Sequence, residues 1–319
     1  MTLKEELDIF IITFNRANLL KKTLDSILAS PICDYSVTVL DNCSSDDTMS
    51  LCQEYKSKYS NINYIRNHRN LGPAGNILKA MELASKKWLW ILGDDDEYNW
   101  DAWDEIKNAL ESDDYEIVNT CWHDGAKSSD PCVLLNEAGF TSTCIYKTKN
   151  ITPIVMQNAY YLTLTWNPHS AIFLEVFNNG GKIYAPQQKL VIENMSKDYT
   201  KIVVPDEKLH PEIRAFNVVY ITLKIYQLVL DKKLRYKCNE VICLGNNFRY
   251  SMNFMLKCGI DLRRLIEVFF MLSFKQRCVL MSVLFQRLFW GCTKTETHRI
   301  YNFFGIKFKI RHKKYRKIN

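Results

Sequence analysis

Five short apolar runs in the first 120 residues, separated by stretches with apolar residues three and four positions apart, constrain this chain more than any other feature. The runs are residues 8–13 (DIFIIT), 37–40 (VTVL), 62–65 (INYI), 88–92 (WLWIL) and 116–119 (EIVN). Short, near-continuous runs of this kind are what strands buried on both faces of a parallel sheet look like. Between them, Leu20, Leu24, Ile27 and Leu28 share one helical face, with Asn18 as a cap and Pro31 as a stop. Thr48, Cys52, Tyr55 and Tyr59 make a second face, and Ile77, Ala80, Met81 and Ala84 a third. Strands alternating with helices predict βαβ units and an open, mostly parallel α/β sheet flanked by helices, whose ligands bind where the strands end.

Those strand ends carry the chemistry. TFNR (13–16) follows the first run, DNCSSDDT (41–48) the second, RNHRNLGPAGN (66–76) the third and GDDDE (93–97) the fourth, and all four should meet at one crevice. Asp94, Asp95 and Asp96 repel one another more strongly as water is lost, so a positive group belongs among them. Oxygen-only ligands suit Mg²⁺ or Mn²⁺, while an acidic turn capping the next helix is the plainer alternative. Asp41 can accept hydrogen bonds from a base or ribose, or close an Asx turn with Asn42 and Ser44. Arg66, His68, Arg69 and Asn70 precede the Gly72-Pro73-Ala74-Gly75 turn into a helix, where free N–H groups and the helix dipole favour anions. A bland helix entry is the competing reading there.

Past residue 120 the pattern loosens. Residues 1–120 are expected to form the ligand-binding half and residues 121–210 the second-substrate half of one domain, with residues 211–319 a helical, basic region. In the middle part, Ser170 to Phe173, after Asn167-Pro168, reads as an apolar strand ahead of a Gly180-Gly181 turn. Helices are expected over 212–230, 262–274 and 278–290, ending in KFKIRHKKYRK. Net charge is +7 overall, but from Asp261 onward 14 Lys and Arg face 3 Asp and Glu, which leaves the preceding residues at −4. No apolar run approaches a membrane span, because Arg263, Arg264, Glu267, Lys275, Arg277 and Arg287 interrupt the most hydrophobic stretch. The eleven scattered cysteines lack a C-x-x-C pair and read as reduced thiols, and the acidic amino end lacks the basic region of a secretory signal. A cytoplasmic protein, held peripherally at the inner face of the membrane by its basic tail, is the expectation.

In that order and at those spacings, DIFIITFNR, VTVLDNCSSDDT, RNHRNLGPAGN and WLWILGDDDE resemble the family 2 glycosyltransferases of GT-A fold, over roughly residues 7–100. The resemblance implies inverting, metal-dependent transfer of a sugar from a nucleotide-diphosphate donor, by default a UDP-sugar, to a saccharide or lipid-linked saccharide in bacterial surface polysaccharide synthesis. It places Thr13, Asn15 and Arg16 at the nucleotide pocket, Asp41 on the base or ribose, and a D-x-D motif on ribose and metal. The donor set expected here adds Arg69, Asn70, Gly75, Asp94 and Asp95, with Asp96 and Asp94 on the metal. Many relatives write the motif as LDADD, which puts Gly93 where their first Asp stands and leaves the metal ligand as Asp95 or Asp96, with Asp96 the first choice because D-x-D spacing still reads as Asp94 and Asp96. The base that the family usually supplies from an E-D pair has no such pair after residue 150; Glu193, Asp198, Asp206 and Glu207 are the carboxylates in range, and Glu193 is the first choice. His169 is either a contact to phosphate, metal or acceptor, or a structural histidine.

Two other classes fit less well. A sugar nucleotidyltransferase needs a glycine-rich loop after its first strand, and TFNRANLL has no glycine. A non-catalytic membrane or nucleic-acid binder explains the basic end but not the acidic triplet, and no nucleic-acid motif accompanies the basic residues.

Overall fold

The computed structural model describes residues 2–121, 140–165, 167–192, 218–240, 248–257, 262–289, 291–294, 298–303 and 306–311. The chain divides into two compact units, Met1–Phe216 with Lys224–Cys238, and Asn217–Leu223 with Asn239–Asn319.

A seven-stranded sheet organises the first unit. Its strands β1 (Leu7–Thr13), β2 (Val37–Asp41), β3 (Ile62–Arg66), β4 (Trp88–Leu92), β6 (Ile117–Asn119), β7 (Cys144–Lys147) and β8 (Ile183–Tyr184) lie in the order β3-β2-β1-β4-β7-β6-β8. The pairs β1–β2, β2–β3 and β1–β4 are parallel, with Thr13 opposite Asp41 and Asp41 opposite Arg66. After the short helix α1 (Leu3–Glu6), helices α2 (Ala17–Leu28), α3 (Thr48–Lys58) and α4 (Gly72–Leu83) make the crossovers, so the four apolar runs carry their polar ends to one edge. Every residue of β4 is buried, and Trp88, Trp90 and Trp103 are among the largest fully buried side chains. Trp90 stacks on Trp103 with ring centres 6.2 Å apart. Each such side chain contributes about 1.5–3 kcal/mol by leaving water.

Strand β7, for which no apolar run was anticipated, inserts antiparallel between β4 and β6. Its Lys147 is buried, and that charge is accommodated because Nζ reaches Asp113 at 2.7 Å and Glu116 at 3.4 Å and lies 5.3 Å from the centre of the Trp88 ring. A separate two-stranded ribbon pairs β5 (Glu97–Tyr98) with β9 (Val191–Ile192), Glu97 opposite Ile192.

The expected strand at Ser170–Phe173 is instead the start of a helix, Ser170–Asn178. A four-residue apolar run does not separate the two periods; the continuation through Leu174 and Val176, both buried, gives the helical one.

The second unit contains helices Phe248–Lys257, Leu262–Met271 and Phe274–Phe289. The helical expectation ends at Phe289: β10 (Gly291–Lys294), β11 (His298–Phe303) and β12 (Ile306–Arg311) form an antiparallel sheet. Alternation of basic and apolar residues in IKFKIR has period two, which suits a strand. The helix expected from residue 212 is described as Val218–Tyr226, and residues 193–217 and 312–319, with Glu193, Asp198, Asp206 and Glu207, lie outside the described residues. Among the described residues no helix is long and apolar enough to cross a membrane.

Candidate active site

The end of β1 and the turn after β4 are joined by side chains. Thr13 Oγ1 donates to Asp94 Oδ2 at 2.6 Å, and Arg16 Nη1 donates to Asp94 Oδ1 at 2.8 Å and to Asp95 Oδ2 at 3.0 Å. Thr23 on α2 donates to the Asp94 carbonyl at 3.0 Å. The positive group that the triplet requires is thus supplied at least in part by the chain's own Arg16. Asp94 is only 2% exposed, and burial, outweighing Arg16 and Thr13, pushes its carboxyl up to about 6. Burial, then the charges of Asp96, Asp95 and Asp94, push the Tyr98 phenol well above its usual range.

Asp96 is also buried, and it accepts a short hydrogen bond from Ser142 Oγ. Ser142 ties together much of this corner: its Oγ accepts from Gly93 N at 2.9 Å, and its carbonyl accepts from Trp90 Nε1 at 3.0 Å and Thr120 Oγ1 at 2.9 Å. No sequence pattern marks Ser142, because its partners lie 22 to 52 residues away.

Asp41 lies at the end of β2 with no exposed surface. Its Oδ1 accepts from Ser44 N at 2.8 Å, and its Oδ2 accepts from the Tyr64 hydroxyl at 2.7 Å and sits 3.3 Å from Arg66 Nε. The Asx-type closure with Ser44 is therefore present, and Tyr64 and Arg66 are additional partners that spacing did not reveal. Asn15, in the left-handed region at φ 54°, links the first two strand ends. Its N–H donates to Ser44 Oγ at 2.9 Å, and its Oδ1 accepts from Ser45 N at 2.7 Å.

Asn42 fills all four hydrogen-bonding positions of its amide. It donates to Asn70 Oδ1 at 2.8 Å and the Gly72 carbonyl at 3.1 Å, and it accepts from Leu71 N at 2.9 Å and Asn67 Nδ2 at 3.1 Å. Asn67 reaches on to Asn76, which donates to the Leu40 carbonyl at 2.9 Å. Asn70, expected on the donor, is thus a member of the network that folds the third loop against the second strand. At Gly75 a Cβ would lie 2.6 Å from Leu71 Cβ, so a side chain there collides with that loop. Arg69 is exposed on the same loop. His169 is fully buried in the turn preceding helix Ser170–Asn178, where its carbonyl accepts from Ile172 N. The structure therefore bonds Thr13 and Arg16 to Asp94 and Asp95, holds Asp96 on Ser142, and ties Asn15 through Ser44 to Asp41.

A divalent ion fits the chemistry of this corner. All candidate donors are oxygens, and Gly93 leaves room beside them, since a Cβ there would stand 2.9 Å from Asp96 Oδ2 and 3.2 Å from Asp95 Oδ1. Among the described residues no three His, Cys, Asp or Glu side chains group to enclose a metal. Mg²⁺ or Mn²⁺ held by one or two carboxylates and by phosphate oxygens of a ligand needs no such enclosure.

Comparison with known proteins points one way. The family model described as glycosyl transferase family 2 matches residues 8–167. A GalNAc(5)-diNAcBac-PP-undecaprenol beta-1,3-glucosyltransferase of Campylobacter jejuni is 37% identical over 93 residues, 29% of this chain and 30% of that protein. An abequosyltransferase of Salmonella typhimurium is 33% identical over 103 residues, 31% of each chain. The match thus spans under a third of the length of these two relatives. Among solved structures, S. aureus TarS 1-349 in complex with UDP-GlcNAc has a TM-score of 0.55 at 12% identity, covering 96% of this chain and 99% of that one. A mannosyltransferase from Pyrobaculum calidifontis in complex with GDP-Man and Mn²⁺ has a TM-score of 0.55 at 14% identity, covering 89% and 87%. At these identities the solved structures speak to the fold, which is of GT-A type.

Proposed function

Because the chain belongs to glycosyl transferase family 2, we propose that it is a nucleotide-sugar glycosyltransferase, and that Thr13, Arg16, Asp41 and the Asp94–Asp96 turn form its donor site. The observation that carries this reading is the bonded bridge from β1 through Thr13 and Arg16 to Asp94 and Asp95, at the edge where parallel α/β sheets take their ligands.

The reaction in this reading is inverting. An acceptor hydroxyl oxygen forms a bond to the anomeric carbon as the bond from that carbon to the diphosphate oxygen breaks; a base takes the hydroxyl proton, and the nucleotide diphosphate leaves with the bonding electrons. Arg16 orders Asp94 and Asp95, and Ser142 orders Asp96, so the carboxylates are fixed before a donor arrives and need not reorganise. Asp96, with Asp94 or Asp95, would hold Mg²⁺ or Mn²⁺, whose charge, when bound, stabilises the departing diphosphate. Asp41 would face the base or ribose, with Arg69 and the start of α4 near the phosphates. Glu193 is the proposed base, and the full burial of His169 favours its structural reading over a contact to acceptor or phosphate.

The donor proposed first is a UDP-hexose or UDP-N-acetylhexosamine. The acceptor is a saccharide or lipid-linked saccharide of a surface polysaccharide, in keeping with the names of the Campylobacter and Salmonella relatives. An acceptor of that kind and the basic carboxyl end suit an enzyme on the inner face of the membrane. Incubating the purified chain with Mn²⁺ and a panel of nucleotide sugars, and detecting nucleotide diphosphate release by mass spectrometry, tests the reading. No release from any member, with or without lipid-linked acceptor, would overturn it.

A further inference from the structure

In the second unit, two consecutive helices carry apolar side chains on the side facing water. On helix Leu262–Met271 the exposed residues are Leu262 (73%), Ile266 and Phe270 (69%), which at four-residue spacing fall within an arc of about 80°. Arg264 and Val268 are buried on another face, so the outer stripe is not this unit's own core. On helix Phe274–Phe289 the exposed residues include Phe274 (81%), Cys278, Met281 and Phe285, within about 60°.

Arg277 makes the two stripes one surface. Its guanidinium lies 5.0 Å from the Phe269 ring centre and 5.8 Å from that of Phe270, and its Nε donates to the Phe269 carbonyl at 2.8 Å. Phe270 on the first helix is thereby held beside the stretch of the second that carries Phe274, Cys278 and Met281. Exposed Arg263 and Lys275 border the stripes. Residues 262–289 contain five Lys and Arg and a single acid, Glu267, which accepts from the Tyr220 hydroxyl at 2.8 Å and sits 3.7 Å from Arg263. The surface is thus apolar and cationic, with its one carboxylate already engaged.

We propose that the paired outer faces of helices Leu262–Met271 and Phe274–Phe289 are a contact surface for an anionic lipid leaflet, with Leu262, Ile266, Phe270, Phe274 and Phe285 entering the acyl boundary and Arg263, Lys275 and Arg277 meeting lipid phosphates. Large apolar side chains flanked by cations are what an in-plane interfacial helix requires. A second copy of the chain is a poorer occupant, since an isologous contact would set each cationic rim against its like. The inference deepens the membrane-facing part of the proposed function and assigns the contact to this helical pair, apart from the basic terminal residues.

The test is flotation of the full chain with vesicles of phosphatidylcholine alone and of equal parts phosphatidylcholine and phosphatidylglycerol. The chain should float with the mixed vesicles and less with the neutral ones, and salt should weaken the binding. The double variant Phe270→Ser, Phe274→Ser should lower partition to the mixed vesicles by about tenfold or more, and Phe285→Ser should lower it by less. Removal of residues 312–319 should leave most of the binding in place. Circular dichroism and a melting curve matching the parent establish that each variant folds. The proposal falls if the parent ignores mixed vesicles, if the folded double variant floats like the parent, or if the patch instead holds a dimer that the double variant dissociates. Calorimetric titration with UDP on the same samples reads the donor site separately, so absent UDP binding with retained flotation would count against the glycosyltransferase reading alone.

Discussion

Thr13 and Asp94 are 81 residues apart in the sequence and 2.6 Å apart at Oγ1 and Oδ2. This contact fastens the end of β1 to the turn after β4 and makes one carboxylate of the triplet an internal group, 2% exposed, whose charge is costly.

That cost has a pH signature. Asp94 rises from an ordinary 3.8 to about 6 in the folded chain, so the folded state holds a proton that the unfolded state has released. Its favourable contribution is complete below about pH 4, falls between pH 4 and 6 and is gone above that window, a change of about 3 kcal/mol. Unfolding free energies measured by denaturant at pH 4, 5, 6 and 7.5 should show the parent declining relative to Asp94→Asn across that interval. Parallel curves would mean that Asp94 is ionised throughout.

Gly93 is predicted to be intolerant of even one added carbon. A Cβ 2.9 Å from Asp96 Oδ2 forces that carboxylate or its Ser142 partner to move. Gly93→Ala should lower kcat/KM by about tenfold or more and raise the Mn²⁺ concentration needed for half activity, with only a small change in melting temperature. Unchanged metal dependence would separate Gly93 from the site.

Metal dependence is read directly. EDTA should abolish transfer and Mn²⁺ should restore it, and Asp96→Asn, which keeps an acceptor for Ser142, should fold but lack activity. Full activity in excess EDTA would remove the ion from the reading.

Asp41 is predicted to act in both stability and donor binding. Its removal strands Ser44 N, the Tyr64 hydroxyl and Arg66, so Asp41→Ala should lower stability by about 3 kcal/mol or more. UDP affinity should fall by about 1.5–3 kcal/mol, the value of a hydrogen bond to a charged group. A lowered melting temperature with unchanged calorimetric affinity would leave Asp41 a structural residue.

Asn42→Ala should cost about 2–4 kcal/mol, because four hydrogen bonds are lost and Leu71 N and the Gly72 carbonyl lose a partner. Denaturant titration reads the cost. Hydrogen exchange should show faster exchange at residues 67–72, and exchange unchanged there would show that the loop is held by other means.

The parallel half of the sheet was legible because residues 8–13, 37–40 and 88–92 are near-continuous apolar runs buried along most of their length, whereas the edge run 62–65, expected to be buried on both faces, buries Ile62 but exposes Asn63 and Ile65. Ser170–Phe173 was not, because four apolar residues satisfy either period and only the buried positions through Val176 decide for a helix. Strand β7 escaped because its CIYK run ends in a lysine, whose burial depends on Asp113 and Glu116, some 31 to 34 residues away. At the site, spacing pointed to the acidic triplet but not to its cation: Arg16 meets Asp94 only once β1 and β4 lie side by side. Ser142 and Tyr64 were invisible for the same reason, being ordinary residues made important by what packs beside them.

The position of β1 in the middle of the parallel strands has a consequence for synthesis. Its partners are β2, which begins at Val37, and β4, which ends at Leu92, so an emerging chain can pair one side of β1 early but must wait for some fifty further residues to pair the other. During that interval the apolar run DIFIIT presents an open edge able to template pairing with another chain. The long separation between β1 and β4 also slows closure once the residues are present, since non-local parallel pairing costs loop entropy first. The strand that ends at the Thr13–Asp94 contact is therefore also one that stays open to pairing with another chain while this one is being made.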